Sequence, residues 1–204
     1  MNGIGFSPTR LAPPGSRGPT IRQKEAPAPW TPDTMLTRTA GPRWDAADMP
    51  LGVLIASIDP DAALLVTPDV IFDVLQDWER LSEGRIRLRL MDPGDSPDSA
   101  AIVVNWSDET LVGRDYEVGR TQRCVRANGR ITRATITLMK APLIDQALLP
   151  SQRLMRLKAT ILHEGGHALG LDHSGCQEDV MHHRGWRNTR LSRGDGAQLI
   201  QRYC

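Results

Sequence analysis

The sequence holds too few cysteines to be organised by them. Three, Cys124, Cys176 and Cys204, are scattered over 204 residues with no CxxC spacing. That excludes a disulfide framework and a cysteine-rich zinc module, and leaves one bridge plus a free thiol, or three free thiols, as alternatives. An excess of charge of one sign is also missing. The 25 Lys and Arg residues stand against 24 Asp and Glu, a formal net charge of +1, so no global attraction to nucleic acid or an anionic membrane is expected. Lysine is scarce, with only Lys24, Lys140 and Lys158 among the basic residues, a skew that reads as genome composition rather than function. No stretch reaches the roughly 20 apolar residues that span a bilayer. The most apolar run, LGVLIASI at 51–58, is short, internal and followed by Asp59-Pro60, and is expected to be a buried strand. The N-terminus lacks the basic, apolar and small-residue succession of a secretory signal.

What is present suits a soluble globular domain with an appendage: 40% hydrophobic and 24% charged residues. Nine of the 15 prolines fall in the first 50 residues, interleaved with glycines. Such a segment continues neither a helix nor a central strand and has little apolar surface to bury. Residues 1–42 are therefore expected to be a disordered Pro/Gly-rich leader or linker, with a pro-segment that blocks an active site as the sharper alternative. Residues 43–204 read as one α/β (α+β) domain. Thr67-Pro68-Asp69 supplies an N-cap, a proline at the first helical position and an early acid. Val70, Ile71, Val74, Leu75, Trp78 and Leu81 then follow at helical spacing up to a stop at Gly84. Residues 85–90 alternate basic and apolar as a half-buried strand does. AAIVVNW at 100–106 suits a central strand, and 118–125 an edge strand. ITRATITLM at 131–139 alternates again and is β-branched. A helix from near Ser151, with Leu154, Leu157, Ile161 and Leu162 on one face, runs into HEGGHALGLDHS at 163–174, and a short helix is expected near 192–202.

The histidine stretch carries chemistry. Helical residues four apart lie about 6 Å apart along the axis and about 40° around it. His163 and His167 therefore project from one face and can both reach a single zinc ion at about 2 Å. Glu164, beside the first, points aside and is free to take a proton from a water at the metal instead of coordinating it. His173, six residues past His167, would land on another face after about 600° of rotation, so the helix must stop. Gly170 is well placed to take the left-handed conformation that ends helices, and Leu171 and Asp172 then carry the chain to the third ligand. Three ligands on one side leave an open position, which distinguishes a catalytic zinc site from a closed structural one.

HEGGHALGLDHS resembles the metzincin metalloprotease signature HExxHxxGxxH, in its matrixin branch. Val180-Met181 resembles the methionine-turn of that family. LSRGDGAQLIQRYC at 191–204 resembles the closing helix of matrixin catalytic domains, with Asp195 near its start. The order of RWDAADMPLGVLI, TPDVIFDVLQDWE and ITRATITLM upstream is similar too, so the likeness covers residues 43–204.

The resemblance implies a metzincin-like twisted mixed sheet of about five strands with an upstream helix, the zinc-binding helix and a C-terminal helix. It implies His163, His167 and His173 as ligands of one catalytic Zn2+, Glu164 as general base, Met181 as an apolar floor under the metal, and Gly170 and Asp195 as structural support. The implied reaction is hydrolysis of a protein or peptide substrate laid along an edge strand within 112–126. The charge balance and the short apolar runs add the expectation of no nucleic-acid partner and no membrane span; the oligomeric state is open, with a monomer expected. Two rivals are a protein-binding domain on a metzincin scaffold, catalytically weak or inactive with a retained zinc, and a zinc hydrolase for another substrate. Glu164 argues against the first, because a purely structural site has no use for a base.

The departures from the family carry expectations of their own. The calcium- and second-zinc-binding loop is not recognisable in 107–130, so a minimal, bacterial-type domain with only the catalytic zinc is expected, calcium having no recognisable site. The first 50 residues contain no cysteine, so the family's cysteine-based latency is expected to be absent. The resemblance suggests an extracellular protein, at odds with the lack of a signal peptide. His182 and His183 stand where a specificity wall is usual, either as loop histidines near the metal, or as a group that stabilises the tetrahedral intermediate or occupies the metal at rest. Gly165 replaces a residue commonly aliphatic, so packing is expected to be lost there. For Gly165 and Gly166, close packing against a strand or the methionine-turn and a less stable helix are both open. Cys176 is either a redox-sensitive thiol or a buried or disulfide-bonded one.

Overall fold

The computed structural model describes residues 41–56, 60–63, 66–92, 94–108, 118–184 and 187–204. All of the Pro/Gly-rich leader except Gly41 and Pro42 lies outside these residues, as do residues 57–58 of the first apolar run. Five strands form one sheet: β1 (Leu51–Ile55), β2 (Leu88–Leu90), β3 (Ile102–Ser107), β4 (Gly119–Val125) and β5 (Ile131–Met139). Their order is β2-β1-β3-β5-β4. The first four in that order run parallel, and β4 closes the edge antiparallel to β5, from Gly119 opposite Leu138 to Arg123 opposite Ala134. The expected mixed five-stranded sheet is therefore present.

The two central strands, β1 and β3, are apolar on both faces, as parallel strands covered on both sides require, whereas β5 alternates buried apolar residues with half-buried Arg133, Thr135 and Thr137. Val53, Ile55, Ile102, Val104, Ala134, Ile136 and Leu138 point into the main core, while Leu54 and Val103 join a smaller cluster with Met91 and Ala100 on the other face. The main core is completed by α2 (Pro68–Leu81) and α4 (Pro150–Ala168). The turn α1 (Pro60–Ala63), the turn α3 (Lys140–Leu143) and the C-terminal α5 (Arg193–Tyr203) complete the helices among the described residues; the two single turns carry too little periodicity to be read from sequence.

Several local expectations are corrected. Thr67 has the extended backbone of an N-cap, but its hydroxyl makes no capping hydrogen bond. The buried stripe of α2 is Ile71, Val74, Leu75 and Trp78, whereas Val70 is exposed. The strand expected over 85–90 is only Leu88–Leu90, because the first half of that stretch closes the preceding helix. Arg85 N donates to Ser82 O, and Ile86 N to Ser82 Oγ at 3.0 Å. Leu154 is exposed too, since burial along α4 begins only at Leu157 and its first turns stand outside the packed core.

Helices α2 and α4 meet at very short range. Trp78 Nε1 donates to Leu162 O at 2.9 Å. A Cβ at Gly165 would lie 2.8 Å from Leu75 Cδ2, and one at Gly166 would lie 2.2 Å from Met181 Sδ and 2.8 Å from Trp78 Cζ2. These glycines do not loosen the helix; they allow a tryptophan and a methionine to press on its backbone. The neighbour is a helix together with the turn at Met181, not a strand. The three cysteines are all exposed and unpaired, which settles their state as free thiols, Cys176 included.

Candidate metal centre

Helix α4 delivers His163 and His167 one turn apart, and its end is built to bring back a third ring. Gly170 adopts φ +93°. Its N–H donates to His167 O at 2.9 Å and Leu171 N–H donates to Gly166 O at 3.0 Å, the paired bonds of a Schellman motif. The remaining carbonyls at this end are also satisfied: Trp44 Nε1 donates to Ala168 O at 2.9 Å and the Tyr203 hydroxyl to Leu169 O at 2.7 Å. A side chain at Gly170 would also strike Pro42 O, 2.1 Å from its Cβ position. The left-handed turn expected there is present, and His173 returns to the other two rings.

The geometry of the three rings is specific. His173 Nε2 lies 3.2 Å from His163 Nε2 and 3.1 Å from His167 Nε2. His163 Nδ1 is 2.7 Å from Val180 O and His167 Nδ1 is 2.9 Å from Leu171 O. A carbonyl only accepts, so both Nδ1 atoms carry the proton and both Nε2 atoms present bare lone pairs. His173 has a proton for only one of them, so an arrangement of three converging nitrogens calls for a cation between them. Tetrahedral zinc at 2.0–2.1 Å from each nitrogen sets neighbouring nitrogens about 3.3 Å apart, close to the spacing found. Burial pushes the basicity of all three rings down, His167 to about 4, against the pull of the carbonyl bonds on His163 and His167. Neutral imidazole, the metal-binding form, is thereby favoured. Among the described residues this is the one cluster of His, Cys, Asp or Glu side chains close enough to share an ion.

Glu164 is buried beside the cluster. Its Oε2 accepts a hydrogen bond from Thr121 Oγ1 at 2.8 Å, and that hydroxyl also lies 3.0 Å from Glu164 O. Thr121 belongs to β4, and two residues earlier Gly119 leaves room for the glutamate, whose Cγ would be 2.8 Å from a Cβ at that position. The edge strand expected within 112–126 thus runs beside Glu164. Residues 109–117 lie outside the described residues, so the loop expectations for that stretch do too.

The turn at Met181 is held from below. Asp195, almost fully buried, accepts from Val180 N at 2.9 Å, Met181 N at 3.0 Å and Ser192 N at 2.8 Å. It is at once the third helical residue of a capping box with Ser192 and the anchor of the turn. Val180 in turn offers its carbonyl to His163, so Asp195 reaches the first histidine through one peptide. Met181 is fully buried against Gly166. His182 is buried, with its Nδ1 accepting from Arg184 N at 3.2 Å, and stacks beside the exposed His183 at a centroid distance of 4.1 Å; neither joins the three-histidine cluster. No local sequence pattern marks Thr121, Trp44, Trp78 or Tyr203 for the site, because the partner of each lies far along the chain.

The family model described as Matrixin matches residues 38–203. The chain belongs to the matrixin family. As a matrixin it has the zinc-metallopeptidase type of fold, and its three converging histidines fit a zinc site. No curated protein matches this matrixin. Among solved structures 81 chains match; one, the archaemetzincin from Methanopyrus kandleri, is 17% identical, with a TM-score of 0.47 over 74% of this chain and 93% of that one.

Proposed function

We propose that this matrixin is a zinc-dependent endopeptidase with Glu164 as its general base. The observation that carries the reading is the convergence of three imidazole Nε2 atoms beside a buried carboxylate on the flank of the outermost described strand. His163, His167 and His173 would hold the ion. Zinc bound there supplies a Lewis acid that polarises the scissile carbonyl and lowers the pKa of the attacking water. A substrate laid against β4 would be held by main-chain hydrogen bonds, as in β-augmentation. Glu164 then accepts the proton of the attacking water on a carboxylate oxygen and delivers it to the leaving amine. The hydroxyl of Thr121 holds one oxygen of that carboxylate in place.

The test is zinc content and cleavage of a mixed peptide library by the wild type and Glu164→Gln. One zinc per chain in both, with cleavage reduced by about 10²- to 10⁴-fold in the variant, is expected for loss of a general base. Cleavage unchanged by the substitution removes Glu164 from the mechanism. One zinc per chain with no cleavage by either form favours a binding domain that retains its metal.

A further inference from the structure

His163 and His167 are each fixed twice, by helix α4 and by a backbone carbonyl on the far ring nitrogen. His173 is exposed and lies past the end of the helix. Its place is set from both sides: before it, the Asp172 carboxylate accepts from Arg202 Nη2 at 3.0 Å and Asp172 O from Gln198 Nε2 at 3.3 Å, and after it comes a loop tied back to the metal-site turn and α5. Ser174 N donates to Met181 O at 2.7 Å, and the Ser174 hydroxyl accepts from Cys176 N at 3.0 Å. That hydroxyl donates its own proton to Asp179 Oδ2. The other carboxylate oxygen, Oδ1, accepts from the hydroxyl of Ser192, which also caps α5 by accepting from Asp195 N at 3.0 Å. Asp179 is 5% exposed, and a carboxylate so far from water is tolerated only where donors surround it. Backbone fits around it as well: a Cβ at Gly194 would lie 2.5 Å from Oδ1.

We propose that Asp179 is a positioning residue for the metal centre, tying the residue after the third histidine to the N-cap of the C-terminal helix and thereby setting where His173 meets the other two rings. It divides the work with Asp195: that carboxylate holds the peptide that orients His163, and Asp179 holds the hydroxyl next to His173. The inference rests on the zinc-site reading above but not on peptidase activity.

The test measures zinc affinity of the full chain by competition with a chromophoric chelator. It compares wild type, Asp179→Ala, Ser174→Ala and the double variant, with thermal unfolding of each metal-free form alongside. Partners outside the ligand set of a metal typically contribute 10- to 100-fold to affinity. Each single substitution is expected to weaken zinc binding about tenfold, and the double variant no further than either, because both remove the same link. Asp179→Asn, which keeps one accepting oxygen, is expected to fall between wild type and alanine, and carries the comparison should Asp179→Ala not fold. Wild-type zinc affinity in Asp179→Ala or Asp179→Asn, with only a lowered melting temperature, overturns the proposal, as does a double variant whose losses multiply. Absence of zinc binding by the wild type overturns it together with the zinc-site reading. Tight zinc binding without peptide cleavage overturns only the peptidase reading, and the cycle still decides the role of Asp179.

Discussion

One oxygen of the buried Glu164 carboxylate is held by the hydroxyl of a residue on the neighbouring strand. Thr121 Oγ1 sits 2.8 Å from Glu164 Oε2, and a hydrogen bond to a charged group contributes about 1.5–3 kcal/mol. Part of that acts on orientation, so Thr121→Val is expected to lower kcat about tenfold, the equivalent of about 1.4 kcal/mol. KM and zinc content should stay as in the wild type, and Thr121→Ser should restore the rate. Steady-state kinetics on a peptide that the wild type cleaves check this; a valine variant with unchanged kcat would show that the Thr121 hydroxyl does not set the orientation of Glu164. The residue scale also explains the two unexpected glycines. Alanine is preferred over glycine in a helix interior by about 1 kcal/mol, yet the backbone at 165 and 166 touches Leu75, Trp78 and Met181.

At the scale of elements, that contact is how α2 and α4 approach each other. Gly165 faces the end of a flexible leucine, which can move aside. Gly166 faces Trp78 Cζ2 at 2.8 Å as well as Met181 Sδ at 2.2 Å, and the tryptophan ring is pinned by its bond to Leu162 O. Overpacking a core position costs about 1–3 kcal/mol. Gly166→Ala is therefore expected to destabilise by about 1–2 kcal/mol despite its better helix propensity, with Gly165→Ala costing less. Urea unfolding of the two variants measures the order, and a stabilised Gly166→Ala would mean that Trp78 and Met181 do not press on the helix as described. Helix α4 ends for an equally concrete reason: the motif at Gly170 and Leu171 that stops it also hands Leu171 O to His167 Nδ1. One turn thus redirects the chain and fixes the tautomer of a ring.

In the molecule as a whole, the candidate centre is where elements distant in sequence meet: α4, the edge strand β4, the turn at Met181, α5, and Trp44 from before the first strand. The hydrophobic core runs through the sheet and α2 independently of the histidines. Metal removal is accordingly expected to weaken the fold without abolishing it. A ligand at 100 times its dissociation constant stabilises by about 2.7 kcal/mol. For a chain of this size that corresponds to a melting temperature roughly 5–10 °C higher with zinc than after chelation. Differential scanning calorimetry with and without a chelator tests it; a chain unfolded without zinc would assign the ion a structural role, and an unchanged transition would argue against a bound ion.

Whatever depends on spacing along the chain is legible in the sequence. The four-residue interval of His163 and His167, the glycine three residues after His167 and the apolar alternation of 131–139 are local facts, because helix and strand geometry repeat over a few residues. The tertiary structure alone decided what lies against each face. Thr121 meets Glu164 across 43 positions, Trp78 meets Leu162 across 84 and Trp44 meets Ala168 across 124. Periodicity tells which side of an element is apolar but not which residue covers it. For that reason Leu154 is on the right face yet exposed, and the stretch 85–90 is half turn and half strand. Gly165 and Gly166 likewise find their reason only in a tryptophan and a methionine that the fold brings to them.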